Sequence, residues 1–141
     1  EDILPHEYAY MTARDTSRYL TQLTLREAGV GSEEMSIYEY IAKERRNLQS
    51  VCDSVIDMPE SAGYVIEYYD ESAGRWEEIC SGGDLSDYNF QVSNTRIITP
   101  IVEKNLDEFY EDCVGDIVCG IPTFEKPELG KPTLVRIRVF V

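Results

Sequence analysis

The chain has four cysteines, at Cys52, Cys80, Cys113 and Cys119. None of their spacings suits a zinc site. The only histidine in the sequence is His6, so a zinc site made of cysteine and histidine would have one imidazole ligand at most. The chain also begins Glu1-Asp2, with no initiator methionine. An even cysteine count without metal partners, in a chain with a processed-looking start, favours a mature secreted or periplasmic domain that carries two disulfides.

Four cysteines allow three pairings. Cys52 falls near the inner face of a predicted helix and Cys80 ends a predicted strand, so a Cys52–Cys80 bridge would join helix to sheet. Cys113 and Cys119 enclose a short segment in which Gly115 allows the chain to turn back, which favours a local bridge. Redox chemistry is disfavoured, because a reactive thiolate requires nearby positive charge and Cys113 is instead flanked by acids.

Hydrolytic chemistry has few candidate residues. Any Ser–His or Cys–His arrangement would have to use His6, which lies close to the chain start. Carboxylates are plentiful, and a glycosidase needs two of them about 5–9 Å apart across a sugar-binding cleft. Trp76 and Glu78, beside Tyr68 and Tyr69, resemble the residues of such a cleft. We therefore expect a protein without catalysis and keep a carbohydrate hydrolase as an alternative.

Metal and nucleotide sites are also unexpected. Acids crowd the segments 84–89 and 107–116, but neither segment matches a calcium-binding EF-hand loop. Ser81-Gly82-Gly83 lacks the lysine of a phosphate-binding loop, and the Asp84 that follows would repel an anion. The sequence thus predicts no metal and no cofactor.

The charge limits the partners. There are 27 acidic residues against 13 basic ones, which gives a net charge of −14. Binding to nucleic acid or to an anionic membrane surface needs clustered Lys and Arg, so neither is expected. No apolar run is long enough to cross a bilayer. The field of such a chain attracts a protein with a basic patch.

One predicted hairpin combines acids with aromatic residues. Residues 60–87 contain eight acids and only one base, Arg75. Aromatic side chains supply contact area in protein interfaces, and charges supply steering and specificity. We therefore predict an acidic, tyrosine-rich partner-binding face made of Tyr68, Tyr69, Asp70, Glu71, Trp76 and Glu78.

The helical elements are predicted in the first part of the chain. One helix is expected from Ala13 to Ala28, with a possible start nearer Pro5. A second is expected from Glu33 to Asp57, since apolar residues recur there every three to four positions. The link between them is short, which favours an antiparallel helix hairpin.

The strands are predicted after Pro59. Tyr64–Tyr69 and Arg75–Cys80 alternate like the two strands of a hairpin. Two more strands are expected at 88–93 and 96–102, with a turn at Asn94-Thr95 between them. Pro100 places the second of them at an edge or bulge. A short helix is expected to begin near Asn105. The regular alternation of 133–141 predicts a strand inside the sheet.

These elements define an α+β fold in one domain, 1–141, helical over 5–58 and mainly strands over 63–141. The helix hairpin is expected to pack on one face of a four- to five-stranded antiparallel sheet. The leading hypothesis is a small secreted, disulfide-stabilised binding protein of the effector, immunity-protein or inhibitor type. The alternatives are the secreted carbohydrate hydrolase and an intracellular acidic subunit of a larger assembly with reduced cysteines.

Overall fold

The computed structural model describes residues 4–83, 88–102 and 128–141. Its helices are α1 (Pro5–Gln22), α2 (Ile37–Glu44) and α3 (Gln49–Val55). Its strands are β1 (Gly63–Asp70), β2 (Arg75–Gly82), β3 (Gln91–Ile98), β4 (Ile101–Val102), β5 (Glu128–Leu129) and β6 (Thr133–Phe140). The predicted Cys113–Cys119 bridge and the predicted helix near Asn105 lie outside the described residues.

Helix α1 begins at Pro5, where a proline fits because the first helical N–H needs no intrahelical acceptor. Its buried residues, Ala9, Ala13, Ser17 and Leu20, recur every three to four positions. The predicted continuation to Ala28 is wrong, because the helix ends at Gln22. The chain then folds back on itself, and the Leu25 N–H donates to the Met35 carbonyl at 3.0 Å.

The prediction of one long helix from Glu33 to Asp57 is also wrong, because two shorter helices, α2 and α3, occupy this stretch. Ser36 caps α2 by accepting a hydrogen bond from the Glu39 N–H. Arg45 ends α2 in the left-handed conformation, with φ of 51°. Its guanidinium donates to Thr133 Oγ1 at 2.6 Å, and the Leu48 N–H donates to the Ile79 carbonyl at 2.9 Å. These bonds to β6 and β2 exist only after the chain has turned, so tertiary contacts override the helical periodicity.

The main sheet has four antiparallel strands in the order β2-β1-β6-β3. The last strand, β6, lies between β1 and β3, which confirms its predicted interior position. The predicted turn at Asn94-Thr95 is wrong, since both residues pair with β6 inside β3. Pro100 lies beyond the end of β3, and β4 pairs with β5 in a separate two-stranded ladder.

The helices pack on one face of this sheet. Val135, Ile137 and Val139 of β6 are fully buried against residues of the helices, and α1 lies over β3 and β6. A four-stranded antiparallel sheet with helices packed on it confirms the α+β prediction. The antiparallel hairpin of two long helices is replaced by three shorter helices.

Candidate functional site

The Cys52–Cys80 disulfide is present, as predicted, and joins α3 to β2 with a Cα–Cα distance of 6.4 Å. Both cysteines are buried. Next to the disulfide, the Gln49 side chain donates to the Ser81 carbonyl at 2.7 Å and accepts from the Ser81 N–H at 2.9 Å. One end of β2 is therefore fixed along its outer edge by covalent and hydrogen bonds.

A β-bulge accompanies this attachment. Cys80 pairs with Ile66 and Glu78 pairs with Glu67, so Ile79 is an extra residue on β2. Ile79 and Cys80 are both completely buried although they are consecutive. The bulge changes which face of the sheet the rest of β2 presents.

The sheet face opposite the helices is called here the outer face. Strand register places directly paired residues on the same face. The pairs Glu67–Arg136 and Tyr69–Trp76 therefore share a face. The outer face thus carries Val65, Glu67, Tyr69, Trp76, Glu78, Arg136, Arg138 and Phe140.

A three-residue ion cluster lies at the centre of the outer face. Glu67 Oε1 accepts from Arg136 Nε at 2.9 Å and from Arg138 Nε at 2.7 Å, and Glu67 Oε2 accepts from Arg138 Nη2 at 3.2 Å. The Glu67 side chain is only 9% exposed, against 24% and 25% for the two arginines. One carboxylate thus orients two guanidiniums in a partly dehydrated setting, where such bonds are stronger than at a fully exposed surface.

Trp76 stacks against this cluster. The Arg136 guanidinium lies 3.9 Å from the centroid of the Trp76 ring. The centroids of the Tyr69 and Trp76 rings are 5.4 Å apart. Cation–π contact and aromatic packing both favour one orientation of the indole. The half-buried Trp76 is therefore preorganised on a rigid sheet.

The predicted partner-binding residues separate into three groups. Tyr69, Trp76 and Glu78 share the outer face. Tyr68 lies on the helix side, where it packs against the core, and burial followed by the charges of Asp70 and Glu77 raises its pKa.

Asp70 and Glu71 lie at the turn of the β1–β2 hairpin. The Asp70 carboxylate accepts from the Ser72 and Ala73 N–H groups. Glu71 pairs with Lys131 at 2.9 Å. The sheet thus brings together three of the six predicted residues, and the others lie beside or behind them.

Sequence reasoning missed Glu67, Arg136 and Arg138 as parts of the same surface. The alternation of β6 does place both arginines opposite the buried valines, and that signal was available. Their meeting with Glu67 depends on the β1–β6 register, which joins residues 69 and 71 positions apart.

A second polar cluster lies beneath α1. Arg96 Nε of β3 donates to the buried Ser17 Oγ at 2.7 Å. Burial raises the pKa of the nearby Tyr38 to about 12, and Ser17 and Arg96 oppose that shift. Ser17 thus influences the ionisation of Tyr38, but the geometry of a hydrogen bond is not reached. The buried Tyr38 hydroxyl has no hydrogen-bond partner among the described residues.

A cleft of about 550 Å³ lies near the disulfide, lined in part by Asp53, Asp57, Glu60, Tyr64 and Tyr88. Burial, and then the charge of Asp53, raises the pKa of Tyr64. The cleft does not include Trp76 or Glu78, so the residues that suggested a carbohydrate hydrolase lie on a different surface.

Charge is distributed unevenly over the described chain. Residues 53–83 contain eight acids and one base, whereas residues 88–102 and 128–141 together contain four bases and one acid. The β1–β2 hairpin and α3 therefore form an acidic side, and β3 and β6 form a more basic one.

Over the described ranges, no group of three or more His, Cys, Asp or Glu side chains is arranged to hold a metal ion. No helix in the described part of the chain has the length and apolar character needed to cross a membrane.

Comparison of the chain with protein-family models, with curated proteins and with solved structures finds no match in any of the three. Any inference about function therefore depends on the surfaces of the molecule itself.

Proposed function

We propose that the chain is a secreted, disulfide-stabilised protein that binds a protein partner with a basic patch and catalyses no reaction. The observation that carries this proposal is Trp76, which is half-buried, stacked on Arg136 at 3.9 Å and packed beside Tyr69. Trp, Tyr and Arg are the residue types that dominate binding energy in protein interfaces.

Preorganisation is the second support. Trp76, Tyr69 and Arg136 are held by stacking and by the Glu67 ion cluster on three neighbouring strands. Little side-chain entropy is then lost when a partner covers them, and this entropy is a main cost of association. The surface resembles a rigid anchor more than a flexible loop.

The acids around Trp76 determine the charge expected on the partner surface. Asp70, Glu71 and Glu78 lie at the end of the β1–β2 hairpin and beside Trp76. Acids at the rim of an interface accelerate encounter with a basic partner and reject an acidic one. The aromatic centre and acidic rim together match a basic patch that includes exposed apolar surface.

Secretion rests on the Cys52–Cys80 disulfide, since such bonds persist in oxidising compartments. It is tested by blocking free thiols before the protein is isolated from its native source and measuring intact mass with and without reductant. Protection of Cys52 and Cys80 from alkylation is the expected result. Alkylation of both cysteines without reductant would instead favour the intracellular subunit.

The binding site is tested with the partner recovered from that source and matched variants. Trp76→Ala is expected to weaken binding at least about tenfold, and Glu78→Lys to weaken binding and flatten its salt dependence. Tyr10→Ala replaces an aromatic residue that is 55% exposed on α1, and Glu34→Lys reverses an exposed acid in the segment between α1 and α2. Titration calorimetry should show both controls close to wild type. If Trp76→Ala binds as wild type does, the outer face is not the site.

A further inference from the structure

Strand β3 forms one edge of the four-stranded sheet. It pairs with β6 over its full length, from Gln91 to Ile98, without a register shift. No described strand pairs with its other edge. The opposite edge strand, β2, has a bulge and is covered at one end by Gln49 and the disulfide.

The direction of the β3 backbone groups follows from one pair. Phe90 and Val141 exchange both of their backbone hydrogen bonds, at 2.9 and 3.0 Å. Antiparallel ladders alternate between bonded and non-bonded pairs, so even-numbered residues of β3 bond to β6. The N–H and C=O groups of Gln91, Ser93, Thr95 and Ile97 therefore point away from the sheet.

Gln91, Ser93, Thr95 and Ile97 are called here the outward row of β3, and the residues between them, which bond to β6, the inward row. The outward row lacks the usual protections of an edge strand. Natural edges carry charged side chains, proline or bulges that prevent pairing with another strand. The outward row of β3 contains none of these. Its one charged residue, Arg96, belongs to the inward row and donates to Ser17 under α1. Ile97 is 70% exposed and Phe90 is 44% exposed, which adds apolar surface along the edge.

We propose that β3 pairs antiparallel with β3 of a second copy of this chain, which joins the two four-stranded sheets across a two-fold axis. With the axis at Asn94, Ser93 lies opposite Thr95 of the second copy. Each of the four outward residues then donates one backbone hydrogen bond and accepts one. Hydroxyl pairs such as Ser–Thr are favourable across antiparallel strands.

The geometry of the outward row favours this register. Asn94 lies midway between Gln91 and Ile97, so an axis at Asn94 places Gln91 opposite Ile97 as well as Ser93 opposite Thr95. All four outward residues then form bonded pairs with the second copy. Shifting the axis along the strand leaves at least one of them without a partner.

The choice of a second copy as the occupant follows from the symmetry and neutrality of this row. An outward row without charges can face itself without placing like charges opposite one another. The net charge of −14 on each copy still opposes association at long range. Self-association should therefore become tighter between about 0.01 M and 0.15 M salt, as the screening length falls from about 30 Å to about 8 Å. A basic peptide bound at the same edge would show the opposite salt dependence.

The test is sedimentation velocity on the full oxidised chain over a concentration series at both salt levels. Wild type is expected to show a reversible monomer–dimer equilibrium that salt strengthens. Thr95→Pro removes one outward N–H from each copy, and proline is tolerated where an edge N–H faces solvent. It should weaken dimerisation about ten- to a hundredfold. The matched control, Thr95→Val, keeps the N–H and should dimerise as wild type does.

A second variant keeps the test decisive if Thr95→Pro does not fold, as judged by circular dichroism. Ser93→Lys places a charge on the outward row beside Arg138, with which Ser93 pairs, and should also favour the monomer. Amide exchange at Thr95 should slow as the wild-type concentration rises. A wild type that stays monomeric at all concentrations and both salt levels, or a dimer unaffected by Thr95→Pro and Ser93→Lys, overturns the proposal. Because the Trp76 surface is not involved, either result leaves the proposed partner site to its own test.

Discussion

The two edges of the sheet are held by different means. The β2 edge is joined to α3 by a disulfide, by the Gln49 side chain and by the Leu48 N–H. The β3 edge lies under α1, where Arg96 bonds to Ser17 and Tyr38 is buried. One edge is thus closed by covalent and backbone bonds, while the other is supported only from its face and keeps its outward backbone groups available among the described residues. The difference shows that packing a helix on the face of a strand does not by itself provide partners for the outward peptide groups, which have none among the described strands.

The largest effect is expected at the closed edge. Replacing Cys52 and Cys80 together by alanine removes a loop constraint across a sequence separation of 28, and such a constraint contributes about 3–4 kcal/mol to the free energy of unfolding. Chemical denaturation of variant and wild type measures it. Exchange of the Ser81 amide should accelerate more than that of buried β6 amides. A loss below about 1 kcal/mol would mean that hydrogen bonds, and not the disulfide, hold this edge.

A pH-dependent effect is expected under α1. The folded-state pKa of Tyr38 is about 12, above the ordinary value of about 10 for an unfolded tyrosine. Below pH 10 the buried phenol is neutral in both states and contributes its full stability. Between pH 10 and 12 the unfolded chain loses the proton first, so stability falls by about 1.4 kcal/mol per pH unit.

The comparison variant for this effect is Tyr38→Phe, which removes the titrating group while keeping the ring. Its denaturation midpoint should fall less steeply than that of wild type over the same alkaline range. Parallel pH profiles for the two proteins would show that Tyr38 ionises as easily in the folded state as in the unfolded one.

The smallest effect is expected from Gln49→Ala. This change deletes both side-chain bonds to the Ser81 backbone and should lower the free energy of unfolding by about 1–2 kcal/mol. Gln22→Ala, at an exposed residue that ends α1, is the control and should change stability by no more than about 0.5 kcal/mol. Equal effects of the two substitutions would show that the Gln49 amide does not protect the β2 edge.

The predictable parts of the fold are those with a short-range signal. The β1–β2 hairpin and β6 were placed correctly because alternation with period two is visible within a few residues. The positions of Cys52 on a predicted helix and Cys80 on a predicted strand favour their bridge among the three possible pairings, and the structure contains it. The prediction of one helix from 33 to 57 is wrong because its apolar periodicity continues through Arg45, where α2 ends. There Arg45 bonds to Thr133, and the Leu48 N–H that follows bonds to the Ile79 carbonyl.

The candidate site was half predictable. Trp76, Tyr69 and Glu78 were recognised by residue type and do share a face. Tyr68 is an aromatic residue of the same acidic hairpin, but it follows Glu67 along the strand and so faces the helices, because adjacent strand residues face opposite sides. The Ile79 bulge could not be anticipated, since it is visible only in the register of β2 against β1.

By itself the sequence determined the excess of acids and the alternation of the strands, and it supplied the cysteines from which the bond between α3 and β2 forms. These are properties of composition and of short segments, which local chemistry controls. Only the tertiary structure decided that Glu67 binds both Arg136 and Arg138, that Arg136 supports Trp76, and that β2 is covered at one end. Each of these depends on strand register or on a contact between segments far apart in the chain, and register is fixed by the packed core as a whole.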